Sequence, residues 1–153
     1  MIEIVKTDSK NEDFIALVKD LDAFLAITDG EDHSFYNQFN ALDHIKYVLV
    51  AYYNTIPVGC GAIKQYDANT MEIKRMFTTE KSRGKGVASK ILNELERWAN
   101  DLCFEKCILE TGIRQVEAIA LYKKNNYKII ENYGQYSGII ESICFEKKLK
   151  HHG

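Results

Sequence analysis

Residues 2–7, IEIVKT, alternate apolar and polar positions and predict a short strand. From about residue 11 to 28 the period lengthens, and Phe14, Ile15, Val18, Leu21 and Leu25 recur on one face of a helix. That helix gives way at TDGEDH, where Gly30 and the acidic cluster are turn chemistry, and SFYNQFNALD suggests a second helical piece. Three strand-like runs follow: YVLVAYY (47–53), VGCGAIKQY (58–66) and MEIKRMFTT (71–79). The turn signals NTIP and DANT separate them, which predicts an antiparallel meander.

The period then changes again. Val87, Ile91, Leu95, Trp98 and Leu102 mark one stripe of a helix, and KCILET is a short apolar strand. Ala118, Leu121 and Tyr122 lie in a further helix that ends at NN, and 127–130 and 139–149 read as two closing strands. An order of strand, helix, strand, helix, strand needs at least one parallel crossover, so the fold class is α/β with a mixed sheet.

Composition narrows the function classes. At 153 residues the chain is about one domain long, so a single domain over 1–150 with a short tail at 151–153 is expected. It is 46% hydrophobic and 27% charged, as folded soluble proteins are. A formal net charge of −2 gives no general attraction to nucleic acid or to an anionic membrane, so an anionic ligand must be caught locally. The opening MIEIVKTDSKNEDF lacks the apolar core of a signal peptide, and no run approaches the roughly 18 apolar residues of a membrane span, so a cytoplasmic protein is expected. Cys60, Cys103, Cys107 and Cys144 form no CxxC pair and have no His at zinc spacing. They read as ordinary buried thiols, with no metal implied. His33 and His44 lie in a polar stretch, and His151 and His152 form a solvated tail.

The candidate chemistry begins at RGKGVA, residues 83–88, between the strand MEIKRMFTT and the helix that opens at about Gly86. The first N–H groups of a helix have no intrahelical partner, and the helix dipole adds partial positive charge there. Gly84 and Gly86 leave the backbone uncovered and free to turn several N–H groups toward one phosphate, while Arg83 and Lys85 add mobile charge. The segment thus reads as a pyrophosphate cradle. It does not supply the GxxxxGK[ST] of a Walker loop, and Ser89 stands where the dinucleotide fingerprint needs its third small residue. A glycine-eased helix entry with two solvated cations is the plain structural alternative.

Three segments in order extend that reading. RGKGVA resembles the R/Q-x-x-G-x-G/A signature of the GNAT superfamily of N-acetyltransferases, which move acetyl from acetyl-CoA to amines. LETGIRQVEAIALYKKNNYKII resembles that superfamily's strand followed by a helix with A-I-x-L-Y, and EIKRMFTT resembles the strand that feeds the cofactor loop. The resemblance spans about residues 45–148. It implies a GNAT-like, mostly antiparallel twisted sheet of about six to seven strands flanked by about four helices, with a splayed strand pair holding the cofactor.

By resemblance, the backbones of Met76, Phe77 and Thr78 bind the pantetheine arm like an added strand. Arg83, Gly84, Lys85, Gly86, Val87 and Ala88 receive the pyrophosphate of acetyl-CoA, and Ser89 begins the helix behind it. Gln115 replaces the superfamily's Asn ahead of A-I-x-L-Y and offers a longer amide donor to the cofactor. Asn126 replaces the Gly before the aromatic residue and tolerates the left-handed conformation a helix end needs.

Acetyl transfer to a protonated amine needs a base, an acid for the departing thiolate, and a donor for the oxyanion. Tyr122 occupies the general-acid position of the resemblance, and the backbone N–H of Met76 the oxyanion position. Glu72 matches the glutamate base of the histone-acetylating branch, and a carboxylate facing a cleft from mid-strand draws a proton through water. The alternatives left open are an outward Glu72 paired with Lys74 or Arg75, Glu110 as a competing carboxylate, and a water chain with no single base.

Acceptor selection by resemblance lies in the first half, at DGEDHSFYNQFN. There Asp29, Glu31 and Asp32 would attract a cationic amine, and Phe35, Tyr36 and Phe39 would wall a pocket; a solvated loop before a helix reads equally well. Tyr133 and Tyr136 carry the same two readings. The expected partners are acetyl-CoA and an amine acceptor, a small molecule rather than a protein amino terminus or lysine, with a homodimer as a common assembly among the proteins the chain resembles. No cysteine in the motifs calls for an acetyl-enzyme, so attack in a ternary complex is expected. A CoA-binding regulatory module without turnover is the reading from another class.

Overall fold

The computed structural model describes residues 1–29 and 44–150. The expected helical piece at SFYNQFNALD, most of the TDGEDH turn and the tail at 151–153 lie outside the described residues. Among the described residues ten α-helices and strands follow in order: β1 (Ile2–Thr7), α1 (Glu12–Asp29), β2 (Tyr47–Tyr53), β3 (Ile56–Asp67), β4 (Thr70–Thr78), α2 (Val87–Asp101), β5 (Lys106–Gly112), α3 (Val116–Lys124), β6 (Lys128–Ile130) and β7 (Ser142–Lys148). The seven strands hydrogen-bond in the order β1-β2-β3-β4-β5-β7-β6. Pairs β1–β2, β2–β3, β5–β7 and β6–β7 are antiparallel and β4–β5 is parallel, so the sheet is mixed, with its crossover through α2. The β4–β5 ladder is short, joining Thr70–Glu72 to Lys106–Ile108.

The internal contacts divide the chain into two units, Met1–Lys64 with Ile73–Leu95, and Gln65–Glu72 with Glu96–Gly153. In the first unit, Asn11 caps α1 by accepting the Phe14 N–H on its side-chain oxygen at 2.9 Å. The helix buries Phe14, Leu17 and Val18 against Val48, Val50, Cys60 and Ala62. Ile15 and Leu25, placed on that face by periodicity, are only half-buried, and Leu17 takes the central place instead. Asn54 and Thr55 both have positive φ (50° and 70°), as a two-residue primed hairpin between β2 and β3 demands.

Alternation turns Gly59 and Gly61 of β3 to the opposite face from Cys60 and Ala62. A Cβ on Gly61 would stand 2.6 Å from Met76 Sδ, 2.8 Å from Ile91 Cγ2 and 2.9 Å from Leu95 Cδ1. One on Gly59 would stand 3.0 Å from both Ile91 Cδ1 and the Phe77 carbonyl. The two missing side chains therefore set how closely the first half of α2 approaches β3 and β4, and so where its N-terminus sits.

In the second unit, α2 and α3 end in the same way. Cys103 (φ 68°) and Asn126 (φ 71°) adopt the left-handed conformation. The bonds Phe104 N–H to Ala99 C=O and Cys103 N–H to Asn100 C=O close the first end, and Tyr127 to Tyr122 and Asn126 to Lys123 close the second. Because α2 stops at Asp101, Leu102 falls beyond the helix and is exposed; Ala99 and Leu92 are buried instead, with Trp98 half-buried. Cys103 is likewise exposed, so of the four thiols only Cys60, Cys107 and Cys144 are buried as expected. The closing strand begins at Ser142 rather than 139, because the Asn132 amide donates to both the Ile139 and Ser142 carbonyls and holds the preceding residues as a loop. Among the described residues no helix is long and apolar enough to cross a membrane.

Candidate functional site

The glycine segment is a strand-to-helix turn whose backbone conformation is specific. After β4 the chain makes a short 3-10 turn, Glu80–Ser82, tied by Thr79 Oγ1 donating to Ser82 Oγ at 3.0 Å. Gly84 (φ 78°) and Gly86 (φ 79°) then take left-handed values that side chains rarely adopt. Among the described residues, chain neighbours apart, no heavy atom lies within 4 Å of a Cβ built on either glycine, so each faces open space there. Val87 is buried and anchors the start of α2, while Gly84, Lys85 and Gly86 are exposed. The Lys90 N–H reaches the Gly86 carbonyl at 3.1 Å, so the N–H groups of Val87, Ala88 and Ser89 precede the first helical bond. An uncovered turn at a helix N-terminus is the arrangement an anionic phosphate ligand fits.

Arg83 departs from the expected mobile cation. Its Nε donates to the Thr78 carbonyl at 3.2 Å, and its guanidinium lies 4.8 Å from the centroid of the Phe24 ring. It ties the end of β4 and helix α1 to the turn. Of the two, Lys85 is the exposed cation, and Arg83 is half-buried. Upstream, Arg75 is buried in mid-strand with φ 61°, and its carbonyl accepts from Cys60 Sγ at 3.3 Å. This kink in β4 immediately precedes Met76, Phe77 and Thr78, all half-buried. Nothing in the residue types of EIKRMFTT announces it.

The titratable candidates Glu72, Glu110 and Tyr122 belong to the second unit. Glu72 is 8% exposed, and its Oε2 accepts from the Tyr133 hydroxyl at 2.6 Å. Glu110 on β5 is half-buried and accepts from Ser142 Oγ at 2.7 Å. Neither carboxylate points outward as a simple strand surface residue would. Tyr133 stacks edge-on with Tyr66 (centroids 5.2 Å apart) and Tyr136 (5.7 Å). Burial first, then the negative charge of Glu72, holds the Tyr133 phenol far above its ordinary pKa. Burial, Glu110 and Glu72, in that order, do the same for Tyr136. Burial also pushes the Cys144 thiol up to about 11.

Tyr122 on α3 is 5% exposed, its ring 5.9 Å from Tyr127 and 5.8 Å from Phe145. Burial, and secondarily the charge of Glu110, raise its pKa well above 10, so the phenol is neutral and carries a proton to give. Gln115 is buried at the N-cap of α3 and makes no side-chain capping bond.

The first unit thus holds Met76, Phe77, Thr78 and residues 83–89, and the second holds Glu72, Glu110, Gln115, Tyr122, Tyr133 and Tyr136. Glu31, Asp32, Phe35, Tyr36 and Phe39 lie outside the described residues. Sequence reasoning missed Phe24 beneath Arg83, Ser142 on Glu110 and Tyr66 against Tyr133. Each meets its partner across a long sequence separation, so no local pattern flags it.

The chain is similar to known proteins both in sequence and in structure. Residues 14–127 match the model of the acetyltransferase (GNAT) family. The chain is 28% identical over 151 residues to the IAA acetyltransferase of Azospirillum brasilense, covering 97% of this chain and 98% of that protein. In structure it is similar to a Klebsiella pneumoniae protein assigned to the acyl-CoA N-acyltransferases (TM-score 0.83, 29% identity, 98% and 99% covered). It also shares its fold with the PaiA N-acetyltransferase of Thermoplasma acidophilum, solved in complex with coenzyme A (TM-score 0.72, 19% identity, 97% and 99% covered).

Proposed function

Because the chain belongs to the acetyltransferase (GNAT) family, we propose that it moves the acetyl group of acetyl-CoA onto the primary amine of a small molecule, by direct attack in a ternary complex. We read residues 1–150 as one catalytic domain working in the cytoplasm. The observation that carries the proposal is the turn at Gly84 and Gly86, with positive φ at both glycines and, among the described residues, open space over each.

Bound acetyl-CoA supplies an activated thioester. The N–H groups of residues 84–89 would hold its pyrophosphate, with Lys85 beside them and Arg83 fixing the turn. By the family resemblance the backbones of Met76, Phe77 and Thr78 would hold the pantetheine arm, the Gln115 amide would offer it a further donor, and the Met76 N–H would meet the charge that develops on the carbonyl oxygen. Glu72 would take one proton of the ammonium, freeing the amine to form the new C–N bond as the C–S bond breaks; the neutral phenol of Tyr122 would give its proton to the departing sulfur and recover one from the nitrogen that becomes the amide.

The test is titration calorimetry with acetyl-CoA, followed by a thiol-release screen against amines, polyamines, amino acids and short peptides. Binding in roughly the micromolar range with turnover on a small amine is expected. Turnover confined to peptides would move the acceptor to a protein terminus or lysine. Binding without turnover would leave a CoA-binding module, and absence of binding would reduce residues 83–88 to a helix entry.

A further inference from the structure

We propose that Tyr133 is the positioning residue of the candidate base, its hydroxyl fixing one oxygen of the Glu72 carboxylate from a loop built for that purpose. The inference rests on reading Glu72 as the base. The bond is short, 2.6 Å, and joins residues 61 positions apart. A hydroxyl donated to an ionised carboxylate favours the charged form and restricts the carboxylate's rotation. For a base in a strand, both effects matter: the group must be ionised to accept a proton, and it must point at the proton it takes.

The loop between β6 and β7 is constructed to hold that hydroxyl still. Asn132 Nδ2 donates to the Ile139 carbonyl at 2.9 Å and to the Ser142 carbonyl at 3.0 Å, clamping the two ends of the loop. Inside the clamp, the N–H groups of Tyr136, Ser137 and Ile139 bond to the carbonyls of Tyr133, Gly134 and Tyr136 in succession. Gly134 takes φ 52°, and a Cβ there would stand 3.2 Å from the Tyr66 hydroxyl, so the loop lies close against β3. The Tyr133 ring is then held edge-on between Tyr66 and Tyr136 (interplanar angles 77° and 88°). At the first residue of β7, where the loop ends, Ser142 donates to Glu110. The loop and its junction with β7 therefore hold both candidate carboxylates, each by a hydroxyl. The pair Tyr133–Glu72 is the tighter and the more buried of the two as regards the acid.

The groups that share the field of Glu72 are Tyr133 and Tyr136 of the loop and Cys144 of β7, with Glu110 of β5 acting on Tyr136 and Cys144. Lys74 and Arg75 follow Glu72 on its own strand.

The experiment uses Tyr133→Phe, which keeps both ring contacts and deletes one oxygen. The Glu72 carboxyl carbon is followed by NMR in protein labelled with 13C-glutamate, its signal identified by its loss in Glu72→Gln. Deleting the hydroxyl removes a bond to the charged form, so the Glu72 midpoint moves to higher pH. An unmoved midpoint overturns the inference whatever Glu72 does in the reaction. Kinetics with the amine that the thiol-release screen selects then tests the reading beneath it. The expected result is kcat lowered about tenfold, the acidic limb of kcat/KM moved to higher pH with the NMR midpoint, and the Kd of acetyl-CoA unchanged. In a Glu72→Gln background, Tyr133→Phe should then do nothing more. A shifted midpoint with an unmoved acidic limb would remove Glu72 as the base and, with it, Tyr133's part in the reaction. If Ser142→Ala instead moved the limb, the base would be Glu110. Equal losses of kcat and cofactor affinity with neither midpoint nor limb displaced would make Tyr133 merely structural.

Discussion

The turn at residues 83–88 and the carboxylate cluster around Glu72 are built by opposite means. The turn is six consecutive residues whose chemistry is backbone: two left-handed glycines, a buried Val87 that fixes the helix start, and N–H groups that precede the first helical bond. The cluster is side chain throughout, assembled from β4, β5, β7 and the loop before it through bonds that join positions 61 and 32 residues apart. A site made of backbone tolerates most changes of side-chain chemistry but not added bulk or a changed φ. A site made of side chains tolerates bulk at its rim but not the loss of one oxygen. Steric variants should therefore disable the first region, and single-atom variants the second.

The largest effect is expected from Gly86→Trp. The indole fills the space that is open over Gly86, and the left-handed φ of 79° costs about 1–2 kcal/mol for any residue with a Cβ. Calorimetry should show acetyl-CoA affinity falling by at least about a hundredfold, with far-UV circular dichroism retained. Gly86→Ala, which bears the backbone cost without the bulk, should lose much less. Equal losses in the two variants would show that conformation alone, and not space, makes the cradle.

Tyr122→Phe comes next. It keeps the ring contacts with Tyr127 and Phe145 and removes the proton. Turnover should fall about ten- to a hundredfold with the Kd of acetyl-CoA unchanged, a split readable from kcat against calorimetric affinity. Normal turnover would place the acid elsewhere and leave Tyr122 as a core residue of α3.

The same contrast explains what the sequence discloses. The periods of IEIVKT, YVLVAYY and KCILET place β1, β2 and β5 within a residue or so of their observed bounds, because a strand's alternation is a local property. RGKGVA is legible for the same reason: glycines at a strand-to-helix boundary require particular dihedrals wherever they stand. Asn126, too, is readable as a left-handed helix end, whereas Cys103, which ends α2 in the same conformation, carries no such signal in its residue type. Glu72 and Glu110 can be picked as carboxylates, but not their hydroxyl partners. Tyr133 reaches Glu72, and Ser142 reaches Glu110, only through the sheet order that sets β7 beside β5 and the Asn132 clamp that shapes the loop. The left-handed Arg75 inside β4 is hidden for a further reason, since its residue type opposes the conformation it adopts and tertiary packing overrides it.

The smallest effect separates two roles for Arg83. Its guanidinium is engaged by the Phe24 ring and by the Thr78 carbonyl, so it holds the turn in place from behind. A cation over an aromatic face contributes about 0.5–2 kcal/mol, and Phe24→Leu removes that face while keeping an apolar side chain on α1. If Arg83 serves the turn, the variant should be less stable by about 1 kcal/mol and bind acetyl-CoA about threefold more weakly, because the N–H groups are held less firmly. A loss that small is measurable as a lowered Tm together with a calorimetric Kd. If Arg83 instead served the phosphates directly, releasing it from Phe24 would strengthen binding, and more so at low salt. Tighter binding would thus break the comparison, since the anion site would then depend on a mobile side chain as the carboxylate cluster depends on its hydroxyls. Weaker binding, insensitive to salt, keeps the turn as a site of backbone that Arg83 and Phe24 merely brace.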